Sequence, residues 1–488
     1  MTLPALLERL FRAAERRRYT LGLALATPGW ITVVRVLLER ELSLGPVALG
    51  RPPFPFFAHV YVFYLALLVC LTALLARVGK TPWTQAVGLV SMGLTLGTVP
   101  PLIDVAVYGI GQFAYEYQPA LTEFPWALHQ PPRVLPWGET IVLWSTIALM
   151  TLAAVRARVG ALRVIGMAVG TWALVVLFLV LMPAGSVLAS RHLGLAPSEW
   201  RNALFAVATF AGAVAATGTG LRLLKRTLHV ALAPLICLLG ASFKGAVDGN
   251  VALACLHLAL LSAGFALAND FYDREEDAAA GRSPPLDEAS AHLLAVVPLI
   301  PVLHVLAFRL ELGLSLLGFA IVSDAYHADP LRLKCVFPLS YKTEGFLGGL
   351  AFFAGLTAVP PGFLSPTHLW VTLLVTLGTP AALVFKDWKD ADGDKAANVR
   401  TAFVVLEERG WPRARVRVLT AALLLLSLGV VALGVAHWKP AALVPLLALA
   451  VLGATPIALG RRPALAVVAA MGLAELQLVV ASWFLTSA

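Results

Sequence analysis

Two runs of aspartates carry the chemistry that this sequence can offer. NDFYDREED, Asn269 to Asp277, closes a long apolar stretch and places Asp270, Asp273 and Asp277 at i, i+3 and i+7. On a helix that spacing makes one acidic stripe. KDWKDADGD repeats the device with Asp387, Asp390 and Asp394, again directly after an apolar run. A single acidic cluster is ordinarily a solvated face, and like charges one turn apart repel. The repetition, and the place of both clusters at the end of a membrane span, argue instead for a cation between them. Carboxylate oxygens completed by water suit Mg²⁺, which takes one or two carboxylates plus substrate phosphates. The implied substrate is a diphosphate.

A diphosphate also needs cationic partners, and the same loops supply them. Arg282 follows the first stripe, Arg332 and Lys334 lie in HADPLRLK, and Lys342 is close by. Lys386, Lys395 and Arg400 surround the second stripe. Each of these residues also reads as a topology signal, and Lys334 is the strongest candidate because of the loop that holds it. Asn269, at the membrane edge, is placed to ligate the metal or diphosphate or to orient Asp273.

The elements that position these residues are membrane helices. Of the 488 residues, 59% are hydrophobic and 13% charged, with a mean hydropathy of +0.82. A soluble globule carries about 25% charged residues. The net charge of +9 sits in short basic clusters between apolar runs, which is the pattern of membrane orientation and not of nucleic-acid binding. Cys70, Cys237, Cys255 and Cys335 have no metal-ligand or CxxC spacing and read as packing residues. LPALLERLFRAAERRRYT, near the N-terminus, lacks the apolar core and cleavage site of a signal peptide. It reads as a basic amphipathic helix on the membrane surface, with Leu3, Leu6, Leu7, Leu10 and Phe11 toward lipid.

With about 20 apolar residues needed per span, six spans fall near 20–38, 56–76, 84–110, 138–155, 164–182 and 203–221. Nine more fall near 228–247, 251–268, 291–308, 311–325, 345–360, 367–385, 418–436, 440–458 and 464–486. With the N-terminus inside, the basic loops at Arg77 and Lys80, at Arg156 to Arg163 and at Arg222 to Arg226 are cytoplasmic. Beyond Arg222 only Lys244, Arg309 and Lys439 fall outside, so both aspartate stripes end on the cytoplasmic face. The fold class is therefore all-α and polytopic, with a boundary near 222 between a six-span N-terminal membrane domain, 1–221, and a nine-span domain, 222–488. In the first part a segment at 111–137 with Tyr115, Tyr117, Trp126 and Trp137 reads as an outer interfacial stretch. Arg35 and Asp104 stand inside apolar spans there, as functional residues or, in the structural alternative, as a snorkelling arginine and the cap of a broken helix.

Residues 222–488 resemble the UbiA superfamily of intramembrane prenyltransferases, whose signatures are NDxxDxxxD and a later DxxDxxxD. Both are present at Asn269 to Asp277 and at Asp387 to Asp394. GDKAANVRT, Gly393 to Thr401, is similar to the family's GDxxxGxxT, and AYHADPLRLK matches a family loop in which a tyrosine, here Tyr326, precedes Arg-Leu-Lys. Two departures stand out: Arg282-Ser283-Pro284-Pro285 replaces an adjacent Arg-Pro, and Asn398 and Val399 replace a glycine region.

The resemblance implies a nine-helix bundle in which two Mg²⁺ ions clamp an isoprenyl diphosphate. Lys334, Arg332 and Tyr326 would act on the leaving group, and the allylic cation would be passed to a hydrophobic acceptor. Phe271, Tyr272, Tyr326, Tyr341, Phe346, Phe352 and Phe353 are positional candidates for aromatic stabilisation of that cation, with packing as the alternative for each. Transfer to a lipophilic or aromatic acceptor leads. A terpene cyclase of the same superfamily and a non-catalytic scaffold or transporter are the alternatives. The expected location is the cell inner membrane, among its lipids, with the site facing the cytoplasm. The Thr27-Pro28-Gly29 entry and the Pro100-Pro101 pair loosely resemble the Yip1-type membrane domain family.

Overall fold

Apolar runs of this length can satisfy their backbone in lipid only as helices or closed barrels, and this chain forms helices. A computed structural model describes residues 9, 12, 21–42, 53–110, 112, 136–245, 247–274, 286–328, 330–359, 364–396, 399–460 and 462–487. Asp277, Arg282, Tyr115, Tyr117 and Trp126 lie outside the described residues, as does nearly all of the amphipathic N-terminal stretch. Among the described residues there is no strand.

The helices are α1 (Leu21–Leu42), α2 (Pro53–Arg77), α3 (Trp83–Leu94), α4 (Pro100–Tyr108), α5 (Trp137–Arg156), α6 (Ala161–Val176), α7 (Met182–Leu193) and α8 (Pro197–Thr217). Next come α9 (Gly220–Lys225), α10 (Thr227–Lys244), α11 (Gly249–Tyr272), α12 (Glu288–Val296), α13 (Leu299–Phe308) and α14 (Leu310–His327). The chain ends with α15 (Leu339–Ala358), α16 (Pro366–Leu383), α17 (Lys386–Ala396), α18 (Ala402–Glu408), α19 (Arg413–Trp438), α20 (Leu443–Leu459) and α21 (Pro463–Thr486). Ten helical stretches among the described residues, three of them successive pairs (α3–α4, α6–α7 and α12–α13), are long and apolar enough to cross a membrane, or eleven if the bent pair α16–α17 counts as one span. The sequence suggests fifteen. The difference lies in α1, α8, α14 and α15, which form as helices of 22, 21, 18 and 20 residues but carry charged side chains such as Arg35, Arg201, Asp324 and Glu344. Trp370, Leu377, Leu426, Val444 and Leu459 stand exposed on the helix surfaces, as an integral membrane protein requires.

Contacts divide the chain into two units: residues 1–220 with His292–Phe308, and Leu221–Ala291 with Arg309–Ala488. In the first unit α2 is central. Gly212 of α8 comes so close to it that a Cβ would sit 3.1 Å from both Cys70 and Val69. Small residues of this kind let membrane helices approach. Phe178 stacks on Phe205 at 5.6 Å, with Phe63 edge-on to both. The two charges that the sequence places inside spans are buried and held locally. Arg35 is ion-paired with Glu39 and Glu139 and donates to the Gly97 carbonyl at 3.0 Å. Asp104 accepts the Gly138 amide at 2.7 Å, so it caps the first turn of the next span, α5. A second buried polar chain runs from His59 through Asn202, at 2.6 Å, to His304.

In the second unit α10 and α15 cross in close contact. A side chain on Gly240 would collide with the Phe352 carbonyl, and one on Gly355 with the Cys237 carbonyl. Gly345, Gly348 and Gly349 set α15 equally close to Thr376 and Thr379 of α16. Leu424, Leu428, Ala450, Ile457 and Ala470 join α19, α20 and α21, and Gln477 donates to the Leu428 and Leu446 carbonyls at 2.9 Å each. Interhelical bonds of that kind replace the hydrophobic drive that lipid does not provide. The chain bends by 64° between α16 and α17.

Candidate active site

Helices that run in alternate directions bring the end of α11, the end of α14, the start of α10, the start of α15 and the whole of α17 to one end of the second unit. They enclose a cavity of about 450 Å³. Leu232, Ile236, Phe265, Phe319, Leu347 and Ala351 line its apolar part. Its polar part holds Asn269, Asp273, Lys334, Lys386 and the three aspartates of α17.

The second acidic stripe is realised as helix geometry predicts. Seven of the eleven residues of α17 are charged, which keeps the helix out of hydrocarbon. Asp387, Asp390 and Asp394 all line the cavity. Asp387 accepts from the Tyr341 hydroxyl, which itself accepts the Ala402 amide at 2.7 Å, so one phenol fixes α17 against the start of α18. Asp390 lies 3.6 Å from Lys389.

The first stripe differs from the sequence expectation. α11 stops at Tyr272 and Asp273 is its C-cap, with φ −89° and ψ 11°, so the aspartates do not continue along one helix. Asp270 and Asp273 accordingly have separate partners. Asp270 is ion-paired with Arg226 and lies 2.9 Å from Arg222. Asp273 is ion-paired with Lys334 and accepts from the Asn269 amide. Lys334 also reaches the Asn269 oxygen at 3.4 Å. Burial pushes the Lys334 ammonium down to about 8, with Cys335 and Asp394 opposing the shift and the nearby Lys386 and Arg226 adding to it. Arg332 has a left-handed backbone, φ +36°, and donates to the Tyr272 carbonyl at 2.7 Å, with Asp273 at 3.9 Å. The loop that carries Arg332 and Lys334 is thereby tied to the end of α11.

Lys386 is ion-paired with Glu344 and lies over the Tyr326 ring at 5.7 Å. The other basic candidates are placed differently. Lys342 and Lys395 are exposed, and Arg400, 60% exposed, pairs with Glu408 at 3.3 Å; none of the three lines the cavity. Of the aromatic candidates only Tyr326 does so, joined by Phe265 and Phe319, which their positions in apolar runs do not single out. Phe352 is buried, Phe346 is exposed, and Phe271 and Tyr272 pack on each other. The sequence reading also passed over Arg222, Arg226, His229 and Lys389. Arg222 and Arg226 stand one turn apart directly before an apolar run, a spacing that could have marked them.

Among the described residues no three His, Cys, Asp or Glu side chains are grouped closely enough to hold one ion between them. The donor set is nonetheless oxygen throughout, carboxylates with one amide, which is the choice of a hard divalent cation and not of a soft one.

The profile of the UbiA prenyltransferase family matches residues 231–474, half of the chain. No curated protein matches. Among solved structures, a UbiA homolog from Archaeoglobus fulgidus bound to DMAPP and Mg²⁺ is similar at 18% identity over 54% of this chain and 97% of that one, with a TM-score of 0.41. The form bound to GPP and Mg²⁺ is similar at 15% identity over 53% of this chain and 97% of that one, with a TM-score of 0.40.

Proposed function

Because the chain belongs to the UbiA prenyltransferase family, we propose that it transfers an isoprenyl group from a polyprenyl diphosphate to a lipophilic or aromatic acceptor. The observation that carries this reading is a single cavity with an apolar lining at one part and acidic and basic side chains at the other. A prenyl diphosphate has the same two parts.

Asp387, Asp390 and Asp394, with Asn269, Asp273 and Asp270, are the residues that would hold Mg²⁺, joined by Asp277. When bound, Mg²⁺ supplies positive charge beside the departing diphosphate. Lys334 and Lys386 bind the diphosphate oxygens, and Arg226 and Arg222 are within one side-chain movement of doing so. Arg332 holds the Lys334 loop in place. Cationic groups set in advance where negative charge develops are the main electrostatic aid to such a cleavage. Phe265, Phe319 and Leu347 exclude water from the prenyl chain, so the allylic cation survives until the acceptor attacks. Lys342, Lys395 and Arg400 are proposed as an outer basic rim that draws anionic substrate inward, and Arg282 as a further substrate-binding residue.

The positive-inside distribution of lysine and arginine supports a cytoplasm-facing site in the cell inner membrane. Residues 1–221 are proposed as a separate membrane domain, outside the family match. Purified full chain supplied with labelled geranylgeranyl diphosphate, Mg²⁺ and a membrane lipid extract is expected to release diphosphate and yield a prenylated extract component. A cyclic hydrocarbon formed without extract would replace transfer by cyclisation, and no consumption of the diphosphate would overturn the enzyme reading.

A further inference from the structure

Among the described residues, Glu344 is the one acidic residue lining the cavity that belongs to neither aspartate cluster. It sits in the second turn of α15 and is only 5% exposed. Its two oxygens are treated unequally. Oε1 accepts from the Tyr326 hydroxyl at 2.7 Å and is also ion-paired with Lys386. Oε2 is buried and has no hydrogen-bond partner among the described residues. A purely structural Lys–Glu pair would satisfy both oxygens, since a buried acceptor left bare is a cost without return. The geometry keeps the carboxylate charged and oriented through Oε1 and leaves Oε2 for something that is not part of this chain.

We propose that Glu344 Oε2 receives the hydroxyl of the acceptor substrate. The proposal rests on the prenyltransferase reading and specifies its second substrate: a lipophilic molecule that presents an O–H, such as a phenol, quinol or alcohol, and not a carboxylate. A carboxylate brings no donor to Oε2 and is repelled by it. In the transfer, the bond between prenyl C1 and the diphosphate oxygen breaks and its electron pair leaves on pyrophosphate. The acceptor supplies the pair for the new bond to C1, and its hydroxyl proton passes to Glu344 Oε2. Attack through oxygen gives an ether. Attack through the ring carbon of a phenol gives a dienone, which regains aromaticity when the ring proton moves to oxygen. Toward the acceptor, Tyr326 and Lys386 act as positioning residues that hold Glu344 through Oε1.

The test is calorimetric titration of the full-length protein in lipid nanodiscs with 1-naphthol, and with naphthalene and 1-naphthoate as matched probes. The expected result is that 1-naphthol binds about tenfold or more tightly than either of the others, the range of a hydrogen bond to a charged group. That advantage is expected to vanish in Glu344→Leu and shrink in Glu344→Gln. Retention of a single elution peak shows that the variants fold, and Glu344→Gln keeps the shape of the side chain should Glu344→Leu fail that check. Equal binding of the three probes by the unmodified protein, or an undiminished 1-naphthol advantage in a folded variant, overturns the inference. Release of diphosphate from geranyl diphosphate by the unmodified protein is measured in parallel. Its absence would instead remove the prenyltransferase reading on which the inference stands.

Discussion

Arg226, immediately before α10, is ion-paired with Asp270 in the last turn of α11, and Arg222 one turn earlier meets the other oxygen of the same carboxylate at 2.9 Å. A carboxylate as buried as Asp270 requires such a countercharge. On the proposed function, the same two guanidiniums would be at hand for a diphosphate once Asp270 turned to a metal. Arg226→Ala is expected to raise KM for the prenyl diphosphate about tenfold or more, the scale of a lost charge-assisted contact. Arg226→Lys should recover part of it, because a lysine restores the charge without the fork. Steady-state kinetics with varied diphosphate checks this, and an unchanged KM in Arg226→Ala would take the residue out of the site.

The stripe on α17 makes a second prediction with an internal control. Asp390 and Asp394 line the cavity, whereas Asp392, on the same helix, is exposed and paired with Arg413. Asp390→Ala and Asp394→Ala are expected to lower diphosphate release by about a hundredfold or more, the scale for losing one electrostatic stabiliser. Asp392→Ala should stay within about twofold, in the range of an exposed ion pair. A chelator should abolish release and added Mg²⁺ restore it. Equal effects at Asp392 and Asp390 would mean that α17 matters as a helix and not through its cavity face.

The α17 stripe was legible in the sequence because its three aspartates lie within one helix, where a fixed period determines the face. The first cluster was not, since α11 ends between Asp270 and Asp273 and the chain then turns. No periodicity reports where a helix stops among polar residues. Lys334 was legible through its loop. Arg222 and Arg226 were hidden by the membrane itself, because a basic residue that fixes topology and one that binds an anion occupy the same kind of position. Lys342, Lys395 and Arg400 show the converse, with basic side chains near the motifs in sequence that stand away from the cavity. Helices were legible throughout, and spans less so: α14 and α15 carry Asp324, Lys342 and Glu344, which an apolarity rule penalises.

Gly355 predicts a packing effect far from the charges. A Cβ there would enter the Cys237 carbonyl of α10, and neither backbone can move without separating the two helices. Gly355→Val is expected to destabilise the second unit by about 1–3 kcal/mol, the usual cost of overpacking. Gly429 on α19 has nothing within 4 Å of its Cβ position. Gly429→Ala should therefore be neutral or slightly stabilising, as alanine is the better helix former. Thermal unfolding in detergent separates the two, and equal midpoints would show that the α10–α15 crossing is loose.

Tyr341 joins the fold to the site, since its hydroxyl donates to Asp387 and accepts the Ala402 amide at 2.7 Å. Tyr341→Phe keeps the ring but leaves a carboxylate and an amide without their shared partner. A hydrogen bond to a charged group contributes about 1.5–3 kcal/mol. Two outcomes are distinguishable. If the bridge serves stability alone, the unfolding midpoint falls while kcat holds. If it also sets the angle at which α17 presents its aspartates, kcat falls about tenfold besides the lowered midpoint, because a carboxylate misplaced by a fraction of an ångström no longer serves the proposed site. The second outcome is the one expected, since Tyr341 contacts α17 at its first aspartate, and a silent Tyr341→Phe would show that α17 is positioned by its packing instead.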